Sequence, residues 1–412
     1  MNTRCFRLFA LTTFFISLVL AQPGMVLAET TEFIPIDQQP AMLVLGQPNF
    51  TSNAPATTPS GMRAPFSVAV DPTTGKVFVA DQENQRVLRF GSVTALSNGA
   101  AAEAVLGQAD FTSGEHNRGG TVAANSMVYP TGLSVDSEGR LWVTDMGNSR
   151  VLRFDDAATK ANGVDADGVL GQPNFTSIVF TTTQNGMEWP VNVFADDGGR
   201  LWVADSDHNR VLRFDNAASK ANGANADGVL GQPDFTSQTR STTQNGMWES
   251  TGVFLDSEER LWVADVDNHR ILRFDNAASK TNGANADGVL GQANFTSRAA
   301  ACTQDGMNIP YGVFGDLDGR LYVADTFNNR VLIFEHAAEL ANGAEANHVL
   351  GQIDFTNCAA NAGGISAISL NNPISVFYDP AAKVLWADDL SNHRILMYDT
   401  VQFQMYLPVV KK

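Results

Sequence analysis

Residues 321–332 read LYVADTFNNRVL, and this stretch decides the fold of the chain. An aspartate, four turn residues and an arginine join two segments that are rich in β-forming residues. The motif Asp-x4-Arg, followed by Val or Ile and then Leu, begins at Asp81, Asp145, Asp205, Asp265, Asp325 and Asp389. Six copies of one turn predict a repeat architecture.

A second marker agrees with this count. Val-Leu-Gly-Gln begins at Val44, Val105, Val169, Val229, Val289 and Val349, so successive copies lie 61, 64, 60, 60 and 60 residues apart. Each unit contains four short apolar segments separated by turn residues. Four antiparallel strands repeated six times predict an all-β fold, the six-bladed β-propeller, with a solenoid as the alternative for a repeat of this length.

The ends of the repeat region favour a closed ring. The chain starts with a lone fourth-strand segment, Leu43–Gln47, and ends with only the first three strands of a blade, the last of them Arg394–Tyr398. We therefore expect the N-terminal strand to complete the last blade and to leave no open sheet edge. The predicted propeller occupies residues 41–400.

Composition and charge restrict the partners. The chain is 44% hydrophobic, which is enough for a large core, and its 27 basic residues against 44 acidic ones give a net charge of −17. Such a surface repels phosphate backbones and anionic membranes, which argues against a nucleic-acid partner.

The N-terminus has the pattern of a secretory signal peptide over residues 1–28. Arg4 and Arg7 precede an apolar run from Leu8 to Ala21, and Val26-Leu27-Ala28 offers a cleavage point. An uncleaved anchor is the alternative. We expect an exported protein, in an extracellular, cell-surface or periplasmic location, with residues 401–412 as a C-terminal tail too short to span a bilayer. Export makes a disulfide between Cys302 and Cys358 possible, with two free thiols as the alternative.

The turn motif resembles the NHL repeat, in which Asp-x-x-Asn-x-Arg-Val/Ile follows an aromatic strand, over about residues 41–400. The resemblance implies a six-bladed propeller with a central channel. It also implies several function classes: protein- or RNA-binding modules, receptor ectodomains and metal-dependent lyases. The negative net charge and the predicted export argue against an RNA-binding function. The leading hypothesis is a secreted or surface-exposed monomer that binds an extracellular protein, peptide or glycan, and the alternative is a metal-dependent lyase or hydrolase with its site at the central channel.

Repeated residues are interpreted first as scaffold. Trp142, Trp202, Trp262 and Trp386 occupy one blade position and are predicted to pack the sheets. Ligand-binding residues are expected where the fourth-to-first-strand loops depart from the repeat. The candidates there are Glu188, Trp189, Trp248, Glu249, Tyr129 and Tyr311. Aromatic faces beside carboxylates suit a sugar or a cationic peptide.

Three histidines in the second-to-third-strand turns raise the question of a metal. The residues of this alternative are His208, His269, His393, Asp205, Asp207, Asp265 and Asp267. Imidazoles suit zinc and clustered carboxylates suit calcium. The resemblance supports the idea, because peptidylglycine amidating lyase is a related propeller whose metal is held by histidines. His269 and His393, however, stand where other blades have Asn209 or Asn329, which favours solvent-facing repeat residues over ligands. No cofactor is therefore certain.

Overall fold

The computed structural model describes residues 37–400 as six four-stranded antiparallel sheets, the blades of a β-propeller. Blade 1 contains β2 (Pro65–Val70), β3 (Lys76–Asp81), β4 (Arg86–Ser92) and β5 (Ala104–Leu106); blade 2 contains β6 (Pro130–Val135), β7 (Leu141–Asp145), β8 (Arg150–Phe154) and β9 (Gly168–Leu170); blade 3 contains β10 (Pro190–Ala195), β11 (Leu201–Asp205), β12 (Arg210–Phe214) and β13 (Gly228–Leu230). Blade 4 contains β14 (Ser250–Leu255), β15 (Leu261–Asp265), β16 (Arg270–Phe274) and β17 (Gly288–Leu290); blade 5 contains β18 (Pro310–Gly315), β19 (Leu321–Asp325), β20 (Arg330–Phe334) and β21 (His348–Leu350). Blade 6 contains β22 (Val376–Asp379), β23 (Val384–Asp389), β24 (Arg394–Asp399) and, from the start of the chain, β1 (Leu43–Leu45).

The helical elements within residues 37–400 are short 3₁₀ turns. They span Gln82–Asn84, Val93–Ala95, His116–Gly119, Met146–Asn148, Ala157–Thr159, Ala217–Ser219, Val266–Asn268, Ala277–Ser279, Thr326–Asn328, Ala337–Glu339 and Leu390–Asn392. None of the helices in this range has the length and apolar character needed to cross a bilayer. The predicted signal peptide (1–28) and the C-terminal tail (401–412) lie outside the described residues.

The ring closes as predicted from the order of the repeats. β1 pairs antiparallel with β24, with Leu43 opposite Met397 and Leu45 opposite Ile395. Val44 and Leu45 are fully buried between blades. The predicted propeller and its closure by the N-terminal strand are confirmed.

The blade aromatics pack the sheets, also as predicted. Trp202 is buried and contacts Val253 and Leu261 of the following blade. Its indole Nε1 donates a hydrogen bond to Asp196 Oδ2 at 3.0 Å, which satisfies the one polar atom of the ring. Trp142 and Trp262 make the same bond to Asp136 and Asp256.

The repeated Asp and Arg form a buried ion pair in every blade. The six pairs are Asp81–Arg86, Asp145–Arg150, Asp205–Arg210, Asp265–Arg270, Asp325–Arg330 and Asp389–Arg394, each with Nε 2.7 Å from Oδ2 and both side chains fully buried. The remaining arginine donors bind backbone carbonyls of the loops before and after the blade. The pair therefore anchors the long loops to the sheet.

Blade 5 has a covalent link between the same two loops. The sulfur atoms of Cys302 and Cys358 are joined in a disulfide, with 6.4 Å between the Cα atoms. Arg330 donates hydrogen bonds to the carbonyls of Thr303, which follows Cys302, and of Phe355, three residues before Cys358. The disulfide thus reinforces a connection that the buried arginine makes in every blade.

Candidate functional site

The two faces of the ring differ in the loops that they carry. We call the face with the second-to-third-strand turns and the fourth-to-first-strand loops the loop rim. The opposite face carries the first-to-second-strand turns and the third-to-fourth-strand loops. The sequence predicts a ligand site at the loop rim, so the candidate residues are described there first.

Neighbouring blades are joined at the loop rim by one repeated hydrogen bond. In each blade, the side chain of the last residue of the second-to-third-strand turn accepts a hydrogen bond from a backbone N–H. The N–H belongs to the fourth-to-first-strand loop that leads into the next blade, and the distances are 2.7–3.3 Å. The acceptors are Gln85, Ser149, Asn209, His269, Asn329 and His393, and the donors are Tyr129, Trp189, Glu249, Ile309, Asn372 and Ala64. All twelve residues have positive φ. His269 and His393 are therefore acceptors of the scaffold, which explains why asparagine replaces histidine there.

The expectation that the histidines face solvent is wrong for His208, whose side chain is only 1% exposed. Its Nδ1 lies 2.9 Å from Asp205 Oδ2, the oxygen that also receives Arg210 Nε. In the other blades this place belongs to an asparagine that bonds the same aspartate, as Asn268 does with Asp265. His208 therefore replaces an interior asparagine of the turn. His269 and His393 are half-buried because their rings face the next blade's loop.

The predicted metal-binding residues lie in different surroundings. Asp205 and Asp265 are buried and already accept hydrogen bonds from arginine and from backbone N–H groups of the loops. Asp207 is exposed and Asp267 half-buried. Within residues 37–400, no group of three or more His, Cys, Asp or Glu has a geometry that could hold a metal ion.

Acid should weaken the contact between blades at His269 and His393. Burial lowers the pKa of both imidazoles, although Asp267 and Glu83 oppose the shift. Each Nδ1 accepts a backbone N–H only when it is unprotonated. The stability from these bonds is therefore fully present above about pH 6.5, the ordinary histidine pKa, and is lost as the pH falls through the lowered folded-state value. We expect the urea midpoint to decrease between about pH 7.5 and about pH 5.

The double variant His269→Asn/His393→Asn is the matched control, because asparagine accepts the same bond in blades 3 and 5 and does not titrate. Its urea midpoint should depend less on pH than that of the unmodified protein. An unchanged pH dependence would assign the acid sensitivity to other groups.

Four carboxylates, Glu188, Asp207, Glu249 and Asp267, surround the mouth of the central channel at the loop rim. Although Asp207 is exposed, the surrounding loops partly desolvate its carboxylate and raise its pKa; the charge of Glu188 adds to the shift, and Arg240 and His208 oppose it. Burial also raises the pKa of Glu249, with Asp267 adding to it. Tyr311 lies among these charges: burial raises its pKa, and Glu249, Asp207 and Asp267 add to the shift. Negative charge is therefore crowded at this end of the channel.

Tyr311 marks the position of this cluster on the ring. It belongs to blade 5, yet its ring meets Phe66 of blade 1 edge-on, with 5.7 Å between centroids. The contact reaches across the channel, since blade 6 separates the two blades along the ring. The carboxylates near Tyr311 therefore face the channel mouth.

The two loop tryptophans have different surroundings. Trp189 is 49% exposed. Trp248 is half-buried between Arg240 and Arg298, whose guanidinium carbons lie 5.8 and 4.9 Å from its ring centroid. Its Nε1 is buried and has no hydrogen-bond partner among the described residues. Tyr129 packs edge-on against His116 at 4.9 Å, in the loop between blades 1 and 2.

Sequence reasoning missed three features. The first is a group of exposed apolar residues, Ile178, Val179 and Phe180, in the loop that leads to Trp189. In the sequence they are visible as three consecutive apolar residues in an otherwise polar loop. The stacking of Arg240 and Arg298 on Trp248 had no local signal. A cavity of about 480 Å³ lies in the channel toward the opposite face and is lined by the first strands of all six blades.

Comparison with known proteins identifies relatives of the propeller. A family model described as the Teneurin NHL domain matches residues 57–334. Teneurin-3 of Danio rerio is 24% identical over 308 residues, which are 66% of this chain and 10% of that protein. NHL repeat-containing protein 2 of Homo sapiens is 23% identical over 373 residues, which are 83% of this chain and 47% of its own length. The chain thus spans about a tenth of the length of the teneurins that it matches.

Solved structures align with the chain at low identity. A gluconolactonase from Xanthomonas campestris aligns with a TM-score of 0.47 and 14% identity, over 87% of this chain and 94% of its own.

Proposed function

The chain belongs to the family of teneurin NHL domains, and from this premise we propose that its propeller is an interaction module that binds a protein partner at the loop rim. The proposed ligand is a basic peptide segment of that partner. The observation that carries the proposal is the crowding of Glu188, Asp207, Glu249 and Asp267 at the channel mouth.

Electrostatics supports a cationic ligand. The pKa of Asp207 and of Glu249 is raised by burial and by neighbouring carboxylates, and the charge of Arg240 opposes the shift without cancelling it, so both ionised forms are only partly compensated. A lysine or arginine of a partner would supply the missing positive charge and would also suit the aromatic face of Trp189.

The apolar residues of the adjacent loop support a protein over a glycan. Ile178, Val179, Phe180 and Trp189 are all exposed between blades 2 and 3. Aromatic and aliphatic side chains of this kind occupy the centre of protein interfaces, where tryptophan contributes strongly to binding. They bring apolar contact area to the same loop that carries Glu188.

The location that we propose is outside the cytoplasm. The signal-like pattern over residues 1–28 and the disulfide between Cys302 and Cys358 support export, because disulfides persist in oxidising compartments. The interaction would then take place in the periplasm, at the cell surface or in the medium, with the propeller acting as a monomer.

The double variant Trp189→Ala/Trp248→Ala should bind basic peptides about thirtyfold more weakly or worse, because one tryptophan at the centre of an interface already supplies about 2 kcal/mol or more. The measurement is fluorescence anisotropy with a library of short synthetic peptides of graded lysine and arginine content. We expect affinity to rise with positive charge and to fall with added salt.

Leu317→Ala is the matched control, since Leu317 is exposed on the opposite face. It should leave peptide affinity unchanged. Equal affinity for acidic and basic peptides, or full binding by the tryptophan double variant, would contradict the proposal. Binding to a glycan array without binding to any peptide would reassign the ligand class.

A further inference from the structure

The channel cavity toward the opposite face is asymmetric because one position in the first strands varies. This position pairs in register with the blade aromatic of the second strand. It is phenylalanine in four consecutive blades: Phe194 opposite Trp202, Phe254 opposite Trp262, Phe314 opposite Tyr322 and Phe377 opposite Trp386. In blades 1 and 2 it is Ala69 and Ser134. Space is therefore left on one side of the channel.

The four phenylalanines form a continuous aromatic wall. Ring centroids lie 5.4 Å apart for Phe194 and Phe254, 4.6 Å for Phe254 and Phe314, and 4.9 Å for Phe314 and Phe377. All four rings line the cavity of about 480 Å³, and Ser134 lines it from the other side. This volume is in the range of small-molecule sites, about 300–1,000 Å³.

The mouth of the cavity is negatively charged. The charged residues that line it are Asp136, Asp196, Asp197, Asp256, Glu259, Asp316, Asp379 and Arg200. Most of these carboxylates are paired: Arg200 binds Asp196 and Glu259, each at 2.7 Å, and the other three ion pairs are Arg140–Asp136, Arg260–Asp256 and Arg320–Asp316. Asp197 is exposed, and the buried Asp379 accepts only backbone N–H groups, from Ala381 and Ala382. Neither has an ion pair within residues 37–400, so these two carboxylates leave the mouth with negative charge that attracts a cation.

We propose that this cavity binds a small organic cation with an aromatic or apolar body. The body packs on the wall of phenylalanines in the space beside Ser134, and the cationic group lies at the mouth near Asp197 and Asp379. Phenylalanine faces also attract cations, so the wall and the mouth favour the same ligand class. The site is separate from the loop rim and does not depend on the peptide-binding proposal.

Three naphthalene compounds of similar shape test this proposal by isothermal titration calorimetry: naphthylmethylamine (cationic), naphthalenemethanol (neutral) and naphthoate (anionic). We expect the amine to bind the whole protein at one site with a Kd below about 1 mM, and the alcohol to bind about tenfold more weakly. No binding of the amine at this concentration, or naphthoate binding as well as the amine, would overturn the proposal.

Two variants locate the binding. Ser134→Phe extends the aromatic wall into the free space, so the amine should bind this variant about tenfold more weakly or worse. Asp197→Asn changes an exposed side chain, so it should fold normally and weaken the amine but not the alcohol. Trp189→Ala/Trp248→Ala at the loop rim is the control and should bind the amine unchanged. If Ser134→Phe fails to fold, the test rests on Asp197→Asn. An amine affinity of that variant equal to the affinity of the unmodified protein would overturn the proposed site.

Discussion

Replacing Arg270 with alanine should lower the free energy of unfolding by about 3–5 kcal/mol, the cost of leaving one member of a buried ion pair alone. Asp265 would keep a fully buried carboxylate without its 2.7 Å partner. The carbonyls of Thr243, Gly246 and Phe295 would lose their shared donor, so two loops would detach from blade 4. Urea denaturation at neutral pH, followed by tryptophan fluorescence, measures the effect.

Arg260→Ala in the same blade is the matched control. Arg260 pairs with Asp256, but both side chains are partly exposed, so the loss should be about 1 kcal/mol or less. Adding Asp265→Asn to Arg270→Ala should recover part of the stability, because the unpaired charge is removed. If Arg270→Ala costs no more than Arg260→Ala, the buried pair does not hold the loops.

Deleting the chain through Gln47 should abolish the folded ring. The deletion removes β1 and with it Leu43, Val44 and Leu45, whose burial is worth about 1.5–3 kcal/mol each. The sum is comparable with the whole stability of a typical domain, about 5–15 kcal/mol. It also leaves β24 as an open edge that invites aggregation. Size-exclusion chromatography and thermal denaturation followed by circular dichroism provide the measurement.

A chain that starts at Asp37 is the control for this deletion. It keeps β1 and the preceding contacts, such as the hydrogen bond from Gln39 Nε2 to the Asp399 carbonyl at 2.7 Å. This version should unfold cooperatively at the original temperature. A chain without β1 that melts at the same temperature would argue against ring closure as a source of stability, since an open solenoid tolerates the loss of one terminal strand.

The fold was predictable because its determinants are local and repeated. Each Asp-x4-Arg turn carries both members of its ion pair, and each blade aromatic has its equivalent in the other blades. Ring closure needed only the order of the segments at the two ends. Neither inference required knowledge of which distant residues touch.

The site was less predictable because its contacts cross between blades. His269 accepts a hydrogen bond from the N–H of Ile309, which lies 40 residues later and in the next blade. The sequence shows that asparagine replaces histidine at this position in other blades, but it does not show that Ile309 is the donor. Tyr311 meets Phe66 across the channel, a contact without any sequence signal. The phenylalanine wall had a signal, because aligning the first strands shows phenylalanine in four blades and Ala69 or Ser134 in the other two.

The antiparallel pairing of β1 with β24 has a mechanical consequence. The chain enters the ring at Leu43 and leaves it after Asp399, and these two ends lie side by side, at the edge of blade 6 away from the loop rim. Tension applied to both ends would peel the two strands apart from Leu43 and Met397 onward, loading their hydrogen bonds one after another. Strands that separate one hydrogen bond at a time resist force far less than strands loaded in shear. The loop rim lies at the other end of blade 6, so an attachment at the two chain ends would leave the loop rim accessible.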